Sequence, residues 1–111
     1  WIDSSGNVGI GASHDPTFLL DVSGSTRFGM DHADTHHFSG SLDVSGSILP
    51  SSDNVHNLGS SGKRWANLYT ADLHLKNNKG DWTILEEEDY LCVVNNKTNK
   101  RYKMMLEEIE D

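Results

Sequence analysis

Apolar residues in the first sixty positions come as short islands that alternate with polar or small ones. Val8 and Ile10 flank Gly9, Leu20 and Val22 flank Asp21, and Leu42 and Val44 flank Asp43. A period of two puts both apolar side chains of an island on one side of extended backbone, so each island predicts a short strand. The word Leu20-Asp21-Val22-Ser23-Gly24-Ser25 recurs letter for letter as Leu42-Asp43-Val44-Ser45-Gly46-Ser47, and Phe38-Ser39-Gly40-Ser41 is a weaker echo. The Ser-Gly-Ser that closes each word predicts a turn, because glycine enters positive φ without steric cost.

The pattern changes past residue 62. Trp65, Leu68 and Tyr69 stand at i, i+3 and i+4, one face of a helix, and Ser60 or Ser61 is placed to cap it. This predicts one or two helical turns carrying an aromatic cluster. Strand alternation returns at Ala71–Leu75. Three further strands are predicted over Trp82–Leu85, Tyr90–Val94 and Arg101–Leu106, with turns at Glu86–Asp89 and Asn95–Asn99. The last strand would show Tyr102, Met104 and Leu106 on one face and Arg101, Lys103 and Met105 on the other. The result is a small antiparallel meander, and such a sheet needs another surface to cover it.

Composition sharpens the division. Residues 1–62 hold nine of the ten glycines, both prolines and one basic residue, Arg27; residues 63–111 hold eight of the nine Lys and Arg. Two regions follow: a Ser/Gly-rich β-stalk over 1–62, and a short helix with a small β tip over 63–111. Only 35% of the 111 residues are hydrophobic, short of what a compact domain uses. Each stalk strand offers two or three apolar side chains, too few to offset the entropy of ordering it. Two clear repeats also fall below the about three that a solenoid requires. A disordered Ser/Gly linker is the alternative reading, although linkers rarely keep the Leu-x-Val alternation. The low apolar content and sparse repeats favour wrapping of identical chains, three-fold closure being a common cyclic form. In such a homotrimer the shared core would be Val8, Ile10, Leu20, Val22, Leu42 and Val44.

Charge excludes some partners. With 9 basic against 17 acidic residues the formal charge is −8, which disfavours nucleic acid and anionic membrane surfaces. No apolar run is long enough for a membrane-spanning helix. Cys92 is the one cysteine, so no disulfide forms within a chain, and its apolar neighbours predict a packed thiol. The start at Trp1 predicts a fragment lacking the N-terminal part of a longer protein.

Trp1-Ile2-Asp3-Ser4-Ser5-Gly6-Asn7-Val8-Gly9-Ile10-Gly11 followed by Leu20-Asp21-Val22-Ser23-Gly24 resembles the stalk repeats of bacteriophage tail fibres and related appendages. Asn57-Leu58-Gly59-Ser60-Ser61-Gly62-Lys63-Arg64-Trp65-Ala66-Asn67-Leu68-Tyr69 is similar to the segment such fibres carry close to a C-terminal self-cleaving chaperone. Gly80-Asp81-Trp82-Thr83-Ile84, with Asn96-Lys97-Thr98 and Arg101-Tyr102-Lys103, is similar to a small C-terminal fibre domain. The resemblance implies an elongated, intertwined homotrimer with a role in host attachment. The chaperone, with its Ser-Asp entry and basic-Leu-Lys stretch, has no counterpart here: Ser52-Asp53 is followed by Asn54-Val55-His56. No self-cleavage is assigned.

Candidate chemistry is sparse. His32 and His36 are four apart, with His37, Asp31 and Asp34 beside them, a spacing that can share a metal on a helix. In a trimer, one axial histidine presented three times would make a metal site. No other cofactor is expected. Gly6-x-x-Gly9-x-Gly11 lacks the Lys-Ser/Thr and βαβ frame of a phosphate loop, and no Gly-x-Ser-x-Gly elbow occurs. The carboxylates of Glu86–Asp89 are sequence neighbours and read as a solvated turn rather than a glycosidase pair. Asn96-Lys97-Thr98 fits a glycosylation acceptor but also a hairpin turn. Trp65, Tyr69, Trp82, Tyr90 and Tyr102 are of the types that stack on sugars or anchor protein partners, and are equally the types that would fill a small core.

The expectation is therefore a mainly β protein and not an enzyme: a trimeric virion fibre or appendage segment, assembled in the host cytoplasm and working outside the cell. Its partners would be two further copies, other virion proteins and a host surface glycan or protein, with no nucleic acid and no membrane insertion. The alternatives are a segment of a polysaccharide-degrading tailspike enzyme and a decoration protein without a receptor.

Overall fold

A computed structural model describes residues 1–11 and 15–110. The described residues form strands, turns and extended segments, with no helix among them, so the mainly β class holds. No described helix is long and apolar enough to cross a membrane. The chain divides into two units, Trp1–Ser47 and Ile48–Asp111.

In the first unit, β1 (Val8–Ile10) runs parallel to β2 (Leu20–Val22), with Val8 opposite Leu20 and Ile10 opposite Val22. That register puts four apolar side chains on one face and Gly9 with Asp21 on the other. The turn before β1 is tied by Asp3, whose Oδ1 accepts from the amides of Ser5 at 2.8 Å and Asn7 at 2.9 Å. The N-terminal ammonium donates to the Gly9 carbonyl at 2.7 Å, and the Gly9 amide returns a bond to the Trp1 carbonyl at 2.9 Å. Gly11 has φ +69°, and a Cβ there would stand 2.7 Å from the Ser23 carbonyl oxygen. Only glycine lets β1 close against the end of β2 at that point.

The two copies of the repeated word have different fates. Leu20-Asp21-Val22 is a paired strand, whereas Leu42-Asp43-Val44 is unpaired and exposed. The word is identical, but its surroundings are not: the first copy has Val8-Gly9-Ile10 to pair with, and the second has no such segment ahead of it.

In the second unit, β3 (Leu73–Lys76), β4 (Asp81–Glu86), β5 (Leu91–Asn95) and β6 (Lys100–Lys103) form an antiparallel meander in chain order. The three predicted C-terminal strands and the Ala71–Leu75 alternation thus appear, with shifted bounds. The final strand stops at Lys103 instead of Leu106, although the Met104 amide still donates to the Leu91 carbonyl at 2.9 Å. Short turns fix the register. Asn77 Oδ1 accepts from the amides of Lys79 and Gly80 between β3 and β4. The Glu87 amide donates to the Tyr90 carbonyl between β4 and β5. Asn99, at φ +58°, closes the β5–β6 turn by donating to the Asn95 carbonyl.

The helix expected at Trp65–Tyr69 does not form. Ser60 Oγ does accept from the Lys63 amide at 3.0 Å, as a cap would. But the Lys63 carbonyl accepts from the Ser60 amide at 2.9 Å, closing a tight turn backwards. That carbonyl would have to accept from Asn67 for a helix to propagate. Trp65, Leu68 and Tyr69 are left outside any helix and exposed, so no described residue buries the face that a helix would need rewarded.

Candidate functional site

The second unit's sheet is one layer, and its two faces differ in kind. Across the strands, Leu73, Ile84, Val93 and Tyr102 form one row, and Leu75, Trp82, Asn95 and Lys100 form the next row on the same face. Leu91 continues this face at the far end, beside Met104 just beyond β6. The opposite face carries His74, Thr83, Val94 and Arg101 in one row and Leu85, Cys92 and Lys103 in another. One face is therefore a nearly continuous apolar surface, with Glu86 and Lys100 as its charges at opposite ends.

That apolar face is open. Leu73, Leu75 and Tyr102 expose 39%, 49% and 49% of their surface, and Trp82, Ile84 and Val93 are half-buried. The described residues include a single fully enclosed hydrophobic side chain, Cys92, at 2% exposure on the other face. Its enclosure agrees with a packed thiol.

The polar face holds a hydrogen-bonded cluster that the sequence did not signal. Asn96 Nδ2 donates to Asp81 Oδ1 and to Thr83 Oγ1, each at 2.9 Å. Thr83 Oγ1 also lies 3.0 Å from His74 Nδ1, within hydrogen-bond distance. Thr83 is buried, and its polar atom is fully satisfied by neighbours from β3 and the β5–β6 turn. The cluster ties three chain segments together. A threonine inside the run Trp82-Thr83-Ile84-Leu85 fits strand propensity alone, and its partners 9 and 13 positions away appear only through the register. Arg101 adds an exposed ion pair to Glu87 at 2.7 Å.

The aromatic candidates fall into three settings. Trp82 and Tyr102 meet on the apolar face, ring centroids 6.0 Å apart. Tyr90 lies under the Lys103 ammonium, 4.9 Å from its ring centre. Trp65 and Tyr69 are outside the sheet at 69% and 92% exposure. Trp82 also borders a cleft at the β3 edge, with Asn54, His74 and Lys76. Trp65 borders another with Leu58, Gly59 and Arg64.

The stalk candidates divide similarly. Val8, Ile10, Leu20 and Val22 share one face of the β1–β2 pair, while Leu42 and Val44 lie in unpaired chain. Ile10, Leu20 and Leu42 are 56%, 57% and 61% exposed, so these positions lack a core within one chain.

The histidine segment folds as a loop around Asp34. Asp34 Oδ2 accepts from the amides of Met30 at 2.5 Å and Asp31 at 3.2 Å. These two backbone donors hold its carboxyl below the usual carboxylate range. His36 tilts against Phe28, its ring centroid 5.9 Å away, and His37 Nε2 lies 3.0 Å from Ser39 Oγ. His32 is exposed. Among the described residues, no three His, Cys, Asp or Glu side chains of one chain converge to hold a metal ion.

Comparison with family models, with curated proteins and with solved structures gives no match to this chain.

Proposed function

We propose that this chain is a structural segment of a homotrimeric virion fibre or appendage that serves host attachment. The observation that carries the reading is the apolar side chains that each unit leaves in water: Ile2, Phe18 and Leu20 in the first unit are 71%, 71% and 57% exposed, and Leu73, Leu75 and Tyr102 on the sheet of the second are 39%, 49% and 49% exposed.

The exposed residues support the same reading. Ile10, Leu20, Leu42 and Val44 are the alternating apolar positions of the stalk words, and they face water in the single chain. Attachment would act through three copies of the second unit on one shaft, where weak contacts by Trp65 and Tyr69 to a host surface glycan or protein gain from multivalency. On this reading the working protein would sit on the virion, outside the host cell that assembled it, alongside other virion proteins.

Sedimentation equilibrium tests the assembly: the expected mass is three times the 12.3 kDa of the chain. A well-ordered 12.3 kDa species in dilute solution overturns the reading. Binding of the trimer to host cells, lost when Trp65 and Tyr69 are replaced by alanine, tests the attachment role.

A further inference from the structure

The loop ahead of β3 carries no acid: from residue 54 to residue 71 there is no Asp or Glu, in a chain that has 17 of them, and Lys63 and Arg64 stand in the middle of that run. The loop is closed by two bonds between the same residues. The Ser60 amide donates to the Lys63 carbonyl at 2.9 Å, and the Lys63 amide donates to Ser60 Oγ at 3.0 Å. Gly59, at φ +80°, packs against this turn: a Cβ there would stand 3.2 Å from the Lys63 carbonyl oxygen and 3.2 Å from Trp65 Cδ1. A side chain at Gly59 would push the indole away, so the turn sets where the Trp65 ring sits. Two open clefts meet at that ring. One, of about 440 Å³, has Asn57, Ser60, Ser61, Arg64 and Trp65 in its wall, and the other, of about 500 Å³, has Lys63, Arg64 and Trp65. We propose, resting on the attachment reading, that these clefts take an anionic saccharide, with Trp65 against a sugar ring and Arg64 on its carboxylate or phosphate group.

Three observations select that chemistry. Arg64 is the arginine left without a partner among the described residues: Arg27 donates to the Met30 carbonyl and Arg101 to Glu87, whereas the Arg64 guanidinium makes no hydrogen bond and borders both clefts. A guanidinium fork matches the paired oxygens of a carboxylate or phosphate, and no carboxylate of the chain lines either cleft to compete for it. Trp65 is 69% exposed beside these polar walls, and an indole is a flat apolar plate with room for the C–H face of a sugar. Asn57, Ser60 and Ser61 add amide and hydroxyl groups of the kind that exchange hydrogen bonds with sugar hydroxyls. Nucleic acid, another anion that stacks on indole, needs a long row of cations, and a chain of formal charge −8 with two bases at this site does not offer one. Contacts this open are weak singly, and three copies on one shaft would add them.

The test follows the Trp65 indole N–H signal by NMR while the full chain is titrated with tetragalacturonate, glucose 1-phosphate, neutral maltotetraose and polyglutamate. The expected result is that tetragalacturonate or glucose 1-phosphate moves the signal, the active one naming the anion, and that maltotetraose and polyglutamate bind at least about tenfold more weakly. Arg64→Gln should weaken the charged sugar at least about tenfold and leave the amide shifts of β3 to β6 where they were. Gly59→Ala, which displaces the indole without touching a charge, should weaken it as well. Equal binding of maltotetraose or of polyglutamate, undiminished binding by Arg64→Gln, or no response to either charged sugar overturns the proposal. Sedimentation of the same sample separates the site from the assembly. A trimer that ignores both charged sugars overturns the site and leaves the fibre reading standing, and a monomer that binds one of them overturns the trimer and leaves the site.

Discussion

The rings of Trp82 and Tyr102 meet across an intervening strand, 6.0 Å apart at an interplanar angle of 42°. They belong to β4 and β6, and β5 runs between them with Val93 and Asn95 as their register partners. Two large side chains thus bridge the sheet on its open face, above the smaller residues of the central strand.

This bridge is expected to contribute beyond its area. A double-mutant cycle of Trp82→Leu and Tyr102→Leu, read by chemical denaturation, should give a coupling of about 0.5–1.5 kcal/mol, the usual worth of a tilted aromatic pair. A coupling indistinguishable from zero would mean the rings merely lie near each other.

Thr83→Val keeps the shape of the side chain and removes the hydroxyl that links Asn96 to His74. The expected loss is about 0.5–1.5 kcal/mol, since Asn96 keeps Asp81 and His74 can turn to water. The amides of the β5–β6 turn should exchange faster in the variant. Unchanged stability would make the cluster incidental.

Gly11 and Gly6 separate two costs. Both have positive φ, but a Cβ at Gly6 meets nothing within 4 Å, whereas one at Gly11 strikes the Ser23 carbonyl oxygen. Gly6→Ala should cost about 1–2 kcal/mol from backbone conformation alone. Gly11→Ala should cost more and should release the Ser23 amide from the Ile10 carbonyl, visible as lost exchange protection. Equal effects at the two sites would remove the close-approach argument.

Asp34 gives a pH dependence of definite sign. Its carboxyl lies below the ordinary value because Met30 and Asp31 donate to the ionised form. The loop is therefore helped at neutral pH, and the help fades as pH falls through the depressed value, when the protonated carboxyl no longer draws both amides. A carboxyl-carbon NMR titration should show Asp34 titrating below the ordinary aspartate value, with the Met30 and Asp31 amide shifts following the same curve. Titration of Asp34 at or above the ordinary aspartate value would contradict the geometry.

The Arg101–Glu87 pair is expected to matter little. Both side chains are well exposed, at 57% and 38%, so Arg101→Ala should change stability by less than about 1 kcal/mol, and by less still in high salt.

The pattern of apolar positions alone determined the strand-rich character, the C-terminal meander and its turns, because side-chain alternation and turn residues are local properties. It marked the stalk words as poor in apolar residues, since that is a matter of counting. It misplaced a helix at Trp65–Tyr69, because i, i+3, i+4 spacing describes a face and does not supply the surface that rewards it. Tertiary structure alone decided which copy of the repeated word becomes a strand: Leu20–Val22 found Val8–Ile10 and Leu42–Val44 found nothing, although the letters are the same. It also decided that Trp82 and Tyr102 share a face and that Thr83, His74, Asn96 and Asp81 share a cluster. Those relations depend on register between strands, which couples residues distant in the chain and has no local signature.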